Sequence, residues 1–395
     1  MSERADFPDS GRDEASDESV ASAVPTAADP RLRILTLTLK PRDMSPGQRF
    51  RLEQWAPHLA ASHGIDLDFM PFESAQLTRL LYKRGRVAAK AFWVLRDFLR
   101  RVRALVAARR YDAVIVYREA SLIGPAIYER LIAWLGVPVF FDFDDAIWME
   151  QRATINGRFS KLHFWGKTAS TCRISTGVTV GNAFLADYAR QYNPHTDVVP
   201  TSIELDSYRL LPEAAADAPF TVCWTGSDTT LPLLEGARPA LERLARQRPL
   251  RVKVICSIPP ETPIAGAENI FIPWSKDREA EEVADCHVGI MPLPATLYME
   301  GKCACKALQF MATGRPVILS PVGVNKRLIV HGQNGFLAES DDEWVDCLTR
   351  LADSPALRAS LGQAGRLTVE RDFSAAGAAA RLARHLRAGL KRKKR

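Results

Sequence analysis

One stretch constrains the chain more than any other. Gly301-Lys302-Cys303-Ala304-Cys305-Lys306-Ala307-Leu308-Gln309-Phe310-Met311-Ala312-Thr313-Gly314-Arg315-Pro316 runs into Val317-Ile318-Leu319-Ser320-Pro321-Val322-Gly323. Ala304 to Ala312 holds no breaker and is rich in helix formers, and Gly314 and Pro316 stop the helix. Val317 to Leu319 is short and wholly apolar, the pattern of a buried strand. A loop, a helix, a tight turn, a buried strand and a glycine loop read as one α/β unit. Lys302, Lys306 and Gln309 fall at i, i+4 and i+7, so the pattern predicts one shared helix face. A helix N-terminus with two lysines suits a diphosphate, because free N–H groups, the positive dipole end and both ammonium groups favour an anion. Gln309, deeper on that face, could bond a ribose or sugar hydroxyl. Two ordinary lysines on a solvated face would give the same pattern.

The flanks narrow the choice. Asp285-Cys-His-Val-Gly-Ile-Met-Pro-Leu-Pro294 precedes the stretch, and Ser320-Pro-Val-Gly323-Val-Asn325 and Gly332-Gln-Asn-Gly335 follow it. In this order the run resembles the nucleotide-sugar half of a GT-B glycosyltransferase, specifically glycosyltransferase family four. The resemblance extends over roughly residues 31 to 388 and is strongest from Phe220 onward. It implies an α/β fold of two Rossmann-like domains facing a cleft, with a C-terminal helix crossing back. The family's Glu-x7-Glu pair falls on Gly301 and Gln309. A branch with Gly-Lys-x3-Lys also lacks the first Glu, and Lys302 and Lys306 fit that branch. Gln309 keeps hydrogen-bonding capacity for a diol without the charge.

The expected division is an acidic tail at 1–29, an acceptor domain at 30–203, a linker at 204–218, a donor domain at 219–372, a crossing helix at 373–390 and a basic tail at 391–395. The 395-residue length suits two domains. Residues 1–29 carry eight acids against Arg4 and Arg12, amid Ser, Ala and Pro, and are expected to be disordered. No apolar run approaches the ~20 residues a membrane span needs, and the acidic N-terminus does not read as a signal peptide. The seven cysteines are scattered, and Cys303-x-Cys305 without a second pair is a poor zinc signal, so reduced cytosolic thiols are expected.

In the first half, Arg33–Leu39 reads as a strand, Lys40 to Gly47 as its loop and Arg49–Leu59 as a helix. Gly47 lets the backbone approach a ligand, and Arg49 or Arg51 could hold a phosphate or acceptor anion. The alternative is a surface arginine at a helix start. Tyr111–Tyr117 is a strand that places Arg118 and Glu119 at its C-terminal end, where α/β proteins put ligands. Val137–Phe141 delivers Asp142, Asp144 and Asp145 to the same edge. Three carboxylates in four residues are costly unless paired, hydrated or used. The resemblance places Asp144 beside the reacting sugar, to bind a hydroxyl or steady positive charge. Clustered Asp also suits Mg²⁺, and a capping role is the plain alternative. The resemblance implies no metal or other cofactor, because lysines and helix dipoles neutralise the leaving diphosphate.

On the donor side, Gly226 and Ser227 open a loop whose N–H groups and hydroxyls could cradle phosphate. By resemblance Trp274 flanks the base, and Gly323 and Asn325 belong to the donor loop. Residues 79–110 hold eleven Lys and Arg against Asp97 alone, interleaved with apolar residues at helical spacing. They read either as a helix pair with a solvated charged face or as a face for an anionic membrane. No recognition motif supports nucleic acid. The expected function is sugar transfer from a nucleotide-diphospho-sugar to a hydroxyl, retaining by resemblance, in a cytoplasmic protein peripheral to the inner membrane face. The alternatives are a non-catalytic sugar-nucleotide scaffold or a GT-B-like epimerase.

Overall fold

The computed structural model describes residues 30–81, 85–122, 124–149, 164, 166–210 and 219–393. The acidic tail, Lys83 and Arg84, linker residues 211–218, and Lys394 and Arg395 lie outside the described residues. The first half supplies β1 (Leu32–Thr38), β2 (Ile65–Pro71), β3 (Ala113–Tyr117), β4 (Val139–Phe143), β5 (Gly177–Val180) and β6 (Thr196–Val198). They form one parallel sheet in the order β2-β1-β3-β4-β5-β6. The second half supplies β7 (Phe220–Thr225), β8 (Leu250–Cys256), β9 (Glu268–Pro273), β10 (Val288–Met291), β11 (Val317–Leu319) and β12 (Phe336–Leu337). Their order is β12-β11-β10-β7-β8-β9, again all parallel.

The central strands are apolar on both faces because helices cover both, as parallel sheets require. Strand order reverses between β1 and β3 in one sheet and between β7 and β10 in the other. Crevices at such reversals, beyond the strands' C-terminal ends, are where this architecture holds ligands. Gly47 and Arg118 follow β1 and β3, and Gly226 follows β7.

The last helix, Ala375–Lys393, crosses back as expected and packs on the helix Gln54–His63 and on β5. Its Leu382, Ala383 and Leu386 share a core with Trp55, Leu59 and Phe140 of the first half. His385 Nδ1 lies 2.6 Å from Asp197 Oδ2, and Arg387 donates to the His63 carbonyl at 2.6 Å. Among the described residues no helix is long and apolar enough to cross a membrane.

Three local expectations change. The helix after β1 starts at Pro46 and contains a π-helical turn, Arg49–Glu53, before Gln54–His63. β4 runs to Phe143, so Asp142 lies inside the strand, paired with Tyr117, rather than beyond its end. Tyr208, inside the expected linker, is buried in the second half's core with Phe310 and Met311.

Asp142 explains why the edge is built this way. Arg51 Nε donates to its Oδ2 at 2.8 Å and Arg51 Nη2 to its Oδ1 at 2.6 Å. The Thr179 hydroxyl donates to Oδ1 at 2.6 Å, and Arg51 Nη1 donates to the Val199 carbonyl at 2.7 Å. Both side chains are inaccessible to water. Burial alone would lower the Arg51 pKa, but the facing Asp142 charge outweighs it and holds the guanidinium above its ordinary value. Both side chains are engaged in this buried pairing. Removing one partner strands a buried charge, which costs about 3–5 kcal/mol. Arg51→Leu should therefore lose about that much stability in urea unfolding; a loss below about 1 kcal/mol would show that water reaches Asp142.

Candidate functional site

The cleft is built from both sheet edges. Arg118 sits just past β3 with φ +57, a left-handed conformation, and its N–H donates to the Asp142 carbonyl at 2.8 Å. This turn aims its side chain at Asp144. Asp144 Oδ1 accepts from Arg118 Nε at 2.7 Å and from the Tyr117 hydroxyl at 2.8 Å. Burial would raise the Asp144 carboxyl, but the Arg118 charge and hydrogen bond, with Arg51 behind, hold it at about 2. Asp144 is thus a fixed anion and a poor proton acceptor, suited to hydrogen bonding and to steadying positive charge. Gly47 is pressed against this group. A Cβ there would overlap Asp144 Oδ2 and the Tyr117 hydroxyl and come to 3.0 Å from Arg118 Nη2.

Asp145 faces the opposite half. Its Oδ2 accepts from Lys302 Nζ at 2.9 Å and lies 3.8 Å from Arg118 Nη2. Lys302 also bonds the Tyr298 hydroxyl at 3.2 Å. Burial works to lower the Lys302 pKa, and the Asp145 charge reverses this and raises it. The loop carrying Lys302 is docked on the first half. Asn182 Nδ2 donates to the carbonyls of Glu300 at 3.2 Å and Lys302 at 3.1 Å, and Cys303 Sγ lies 3.3 Å from the Asp144 carbonyl. Gly181 has no room for a Cβ because Cys303 fills that space.

The two lysines do not share a helix face. Ala304 takes a left-handed conformation, φ +51, and the helix begins only at Cys305. Lys302 therefore reaches across the cleft, while Lys306, in the first turn, points into its own half. Lys306 Nζ donates to Thr230 Oγ1 at 3.0 Å and lies 4.3 Å from the Trp224 ring centroid. A Cβ on Gly226 would come to 2.6 Å from Lys306 Nζ and 2.7 Å from Thr230 Oγ1. Ser227 caps the turn by hydrogen bonding with Thr230. Burial, then the nearby Lys302 charge, pushes Lys306 down to about 7.

A third cluster holds Arg49, Trp274 and Gln309 away from the arginine–aspartate group. Arg49 pairs with Glu279 of the other half and lies over the rings of Phe50 and Trp274. Trp274 Nε1 donates to Glu279 Oε1 at 2.8 Å, the Tyr208 hydroxyl donates to Glu279 Oε2 at 3.1 Å, and Gln309 Nε2 donates to the Tyr208 oxygen at 2.9 Å. Arg49 is thus an interdomain tie instead of a surface phosphate arm, and Gln309 is buried in the same network. Glu119 turns from the cleft to Lys167, 3.7 Å away, and burial pushes it up to about 7. Gly323, φ +56, backs against Glu300, and Asn325 Nδ2 donates to the Ser320 carbonyl at 3.0 Å, so both brace the docked loop and its neighbour.

Sequence reading missed Tyr117, Asn182, Tyr298, Thr230 and Glu279. Asn182 offered a signal, a helix N-cap just past β5 on the ligand edge. The others become visible only when distant segments meet. Among the described residues no group of three or more His, Cys, Asp or Glu could hold a metal ion.

Solved structures share this fold. Sucrose-phosphate synthase from Thermosynechococcus elongatus aligns over 91% of this chain and 99% of its own, with TM-score 0.65 and 15% identity. Anabaena HepE in complex with UDP and glucose aligns over 91% and 100%, with TM-score 0.62 and 13% identity. Residues 235–354 match the family described as Glycosyl transferases group 1. A curated relative, D-inositol 3-phosphate glycosyltransferase of Pseudarthrobacter chlorophenolicus, is 35% identical over 66 residues, which is 16% of this chain and 16% of that protein. Two parallel α/β domains closing on a common cleft define the GT-B class. On that fold, residues 235–354 are similar to the group 1 glycosyltransferases.

Lys306 makes stability depend on pH. Its folded value, about 7, lies below its ordinary 10.5, so the folded state binds fewer protons between those limits. Stability should rise with pH through that window, and the penalty is complete below it. Lys306→Met should stabilise the protein at pH 6.5 and by less at pH 9 in urea unfolding; a pH-independent difference would mean the amine stays charged.

Proposed function

We propose that the chain transfers a sugar from a nucleotide-diphospho-sugar to a hydroxyl acceptor. The observation that carries this reading is the meeting of Lys302 from the second half with Asp145 from the first, beside the Arg118–Asp144 pair, while Lys306 stands at the ligand edge of its own sheet against Thr230. Lys306, the Gly226–Ser227 turn and Lys302 would take the diphosphate. Trp274 would flank the base and Gln309 the ribose side, behind the Tyr208 network. A diphosphate competes with Asp145 for Lys302, so donor binding would turn the Asp145 carboxylate toward the sugar. Asp144, ionised at any working pH, would steady the positive charge that develops as the sugar leaves. Arg118 holds Asp144 in place, and Gly47 leaves room at its side. The family class implies retention of configuration. The complex of Anabaena HepE with UDP and glucose supports a uridine nucleotide as first choice. In this reading the acceptor half is 30–203 and the donor half 219–372. Work on a lipid-linked hydroxyl would require peripheral membrane attachment.

A scaffold reading has one specific support: no motif glutamate stands at Gly301 or Gln309. Donor hydrolysis by the purified protein separates the two readings, since a scaffold binds donor without breaking it.

Two substitutions test the roles. Lys306→Ala should weaken nucleoside diphosphate binding about tenfold or more and leave nucleoside binding nearly unchanged, because a charge-assisted hydrogen bond contributes about 1.5–3 kcal/mol. Equal weakening of both ligands in calorimetry would assign Lys306 to folding. Asp144→Asn should lower turnover with little effect on donor affinity, and normal turnover would remove Asp144 from the reaction.

A further inference from the structure

The helix Val87–Ala108 spends charged as well as apolar residues on its inward face and leaves apolar residues on its outward one. Its buried residues include Asp97, Arg101, Ala104 and Ala108. Asp97 Oδ2 accepts from the N–H of Ser74 at 2.8 Å and its hydroxyl at 2.7 Å. Arg101 donates to the carbonyls of Met70 and Thr38, each at 2.6 Å. The inward face thus combines two charged side chains, tied to Ser74 and to the ends of β1 and β2, with Ala104, Ala108 and the half-buried Phe98 and Leu105. The outward face is apolar: Phe92, Leu95, Leu99, Val102 and Val106 are exposed by 45% (Val102) to 67% (Val106). Their spacing alternates three and four, which is one continuous stripe. The stripe lies nearly opposite the buried one, about 170° around the helix. Arg96 and Arg103, both exposed, lie one position beyond Leu95 and Val102 and edge the stripe. The packed neighbour Ile127–Trp134 adds Trp134, 81% exposed. A soluble helix normally turns its apolar side to the core, and an exposed apolar stripe of this length marks an interaction surface.

We infer that the outward face of the helix Val87–Ala108 docks on an anionic lipid surface. Charge decides between this partner and a second copy of the chain. In the described part of 79–110 the only acid is Asp97, which is buried, so two copies meeting on this stripe would oppose arginine to arginine. A membrane of anionic lipids supplies an apolar layer for the stripe and negative headgroups for Arg96 and Arg103 at its edge. The buried charges of Asp97 and Arg101 keep the helix anchored while its apolar side faces outward. This inference stands independently of the glycosyl-transfer reading, since it uses no residue of the cleft.

The test is co-sedimentation of the full chain with vesicles of phosphatidylcholine alone and of phosphatidylcholine with phosphatidylglycerol, at low and high salt. The full chain should pellet with the anionic vesicles at low salt and stay in solution with the neutral ones. The double variants Leu95→Ser/Leu99→Ser and Arg96→Glu/Arg103→Glu should each lower partitioning about tenfold or more. Melting temperatures of both should match the parent, because all four side chains are exposed. No pelleting at low salt overturns the inference. So does pelleting that both variants retain, which would place attachment on the basic C-terminal tail. Concentration-dependent self-association that the leucine variant abolishes, without vesicle binding, would identify a second copy as the occupant.

Discussion

The cleft depends on one buried ion pair. Arg51 and Asp142 meet where no water reaches, and the four hydrogen bonds around them join the helix after β1 to β4, β5 and the segment after β6. Such a pair is tolerable only when every remaining donor and acceptor is occupied. That requirement fixes the ends of β4 and β5 relative to one another. Asp144 and Asp145 project from one of those ends and Asn182 follows the other. The π-helical turn at Arg49–Glu53 lets the same short segment serve both halves: Arg51 turns into the first sheet, and Arg49 crosses to Glu279. The position of the second half on the first is thereby linked to the packing of the first sheet itself.

The two lysines show how neighbours set the use of similar side chains. Lys302 faces a carboxylate and is held cationic, whereas Lys306 faces an indole ring, a hydroxyl and another ammonium group and is poised near neutrality. Lys302 is a fixed charge that ties one half to the other through Asp145. Lys306 is the adjustable one, and an anion placed beside it would draw a proton onto it.

Much of this was readable in the chain. Helix and strand periodicity marked β1, β3, β7, β8 and the motif helix, because buried parallel strands are continuous apolar runs bounded by breakers. The acids at 142–145 and the glycines at 47 and 226 stood out because their types are costly or permissive at strand ends. What could not be read was pairing. Arg51 and Asp142 are 91 positions apart, and Lys302 and Asp145 are 157 apart. No local spacing reports which of three neighbouring carboxylates is spent on structure. The left-handed turn at Ala304 was also hidden, since alanine is the strongest helix former and tertiary docking of the preceding loop overrides that preference. In the helix Val87–Ala108 the amphipathic pattern was plain, but periodicity alone cannot say which side faces inward.

The returning helix has a consequence for how the protein comes into being. Ala375, Leu382 and Leu386, which follow the whole second sheet in the chain, share a core with Trp55, Leu59 and Phe140 of the first domain. Domains made early in synthesis usually fold first. Here the first sheet leaves the ribosome with an open seam, and the second domain has all its strands before that seam can close. The later domain can mature first, and the earlier one waits, with apolar surface uncovered, for the returning helix. Any ribosome that stops near residue 370 therefore releases a protein whose defect lies at its beginning.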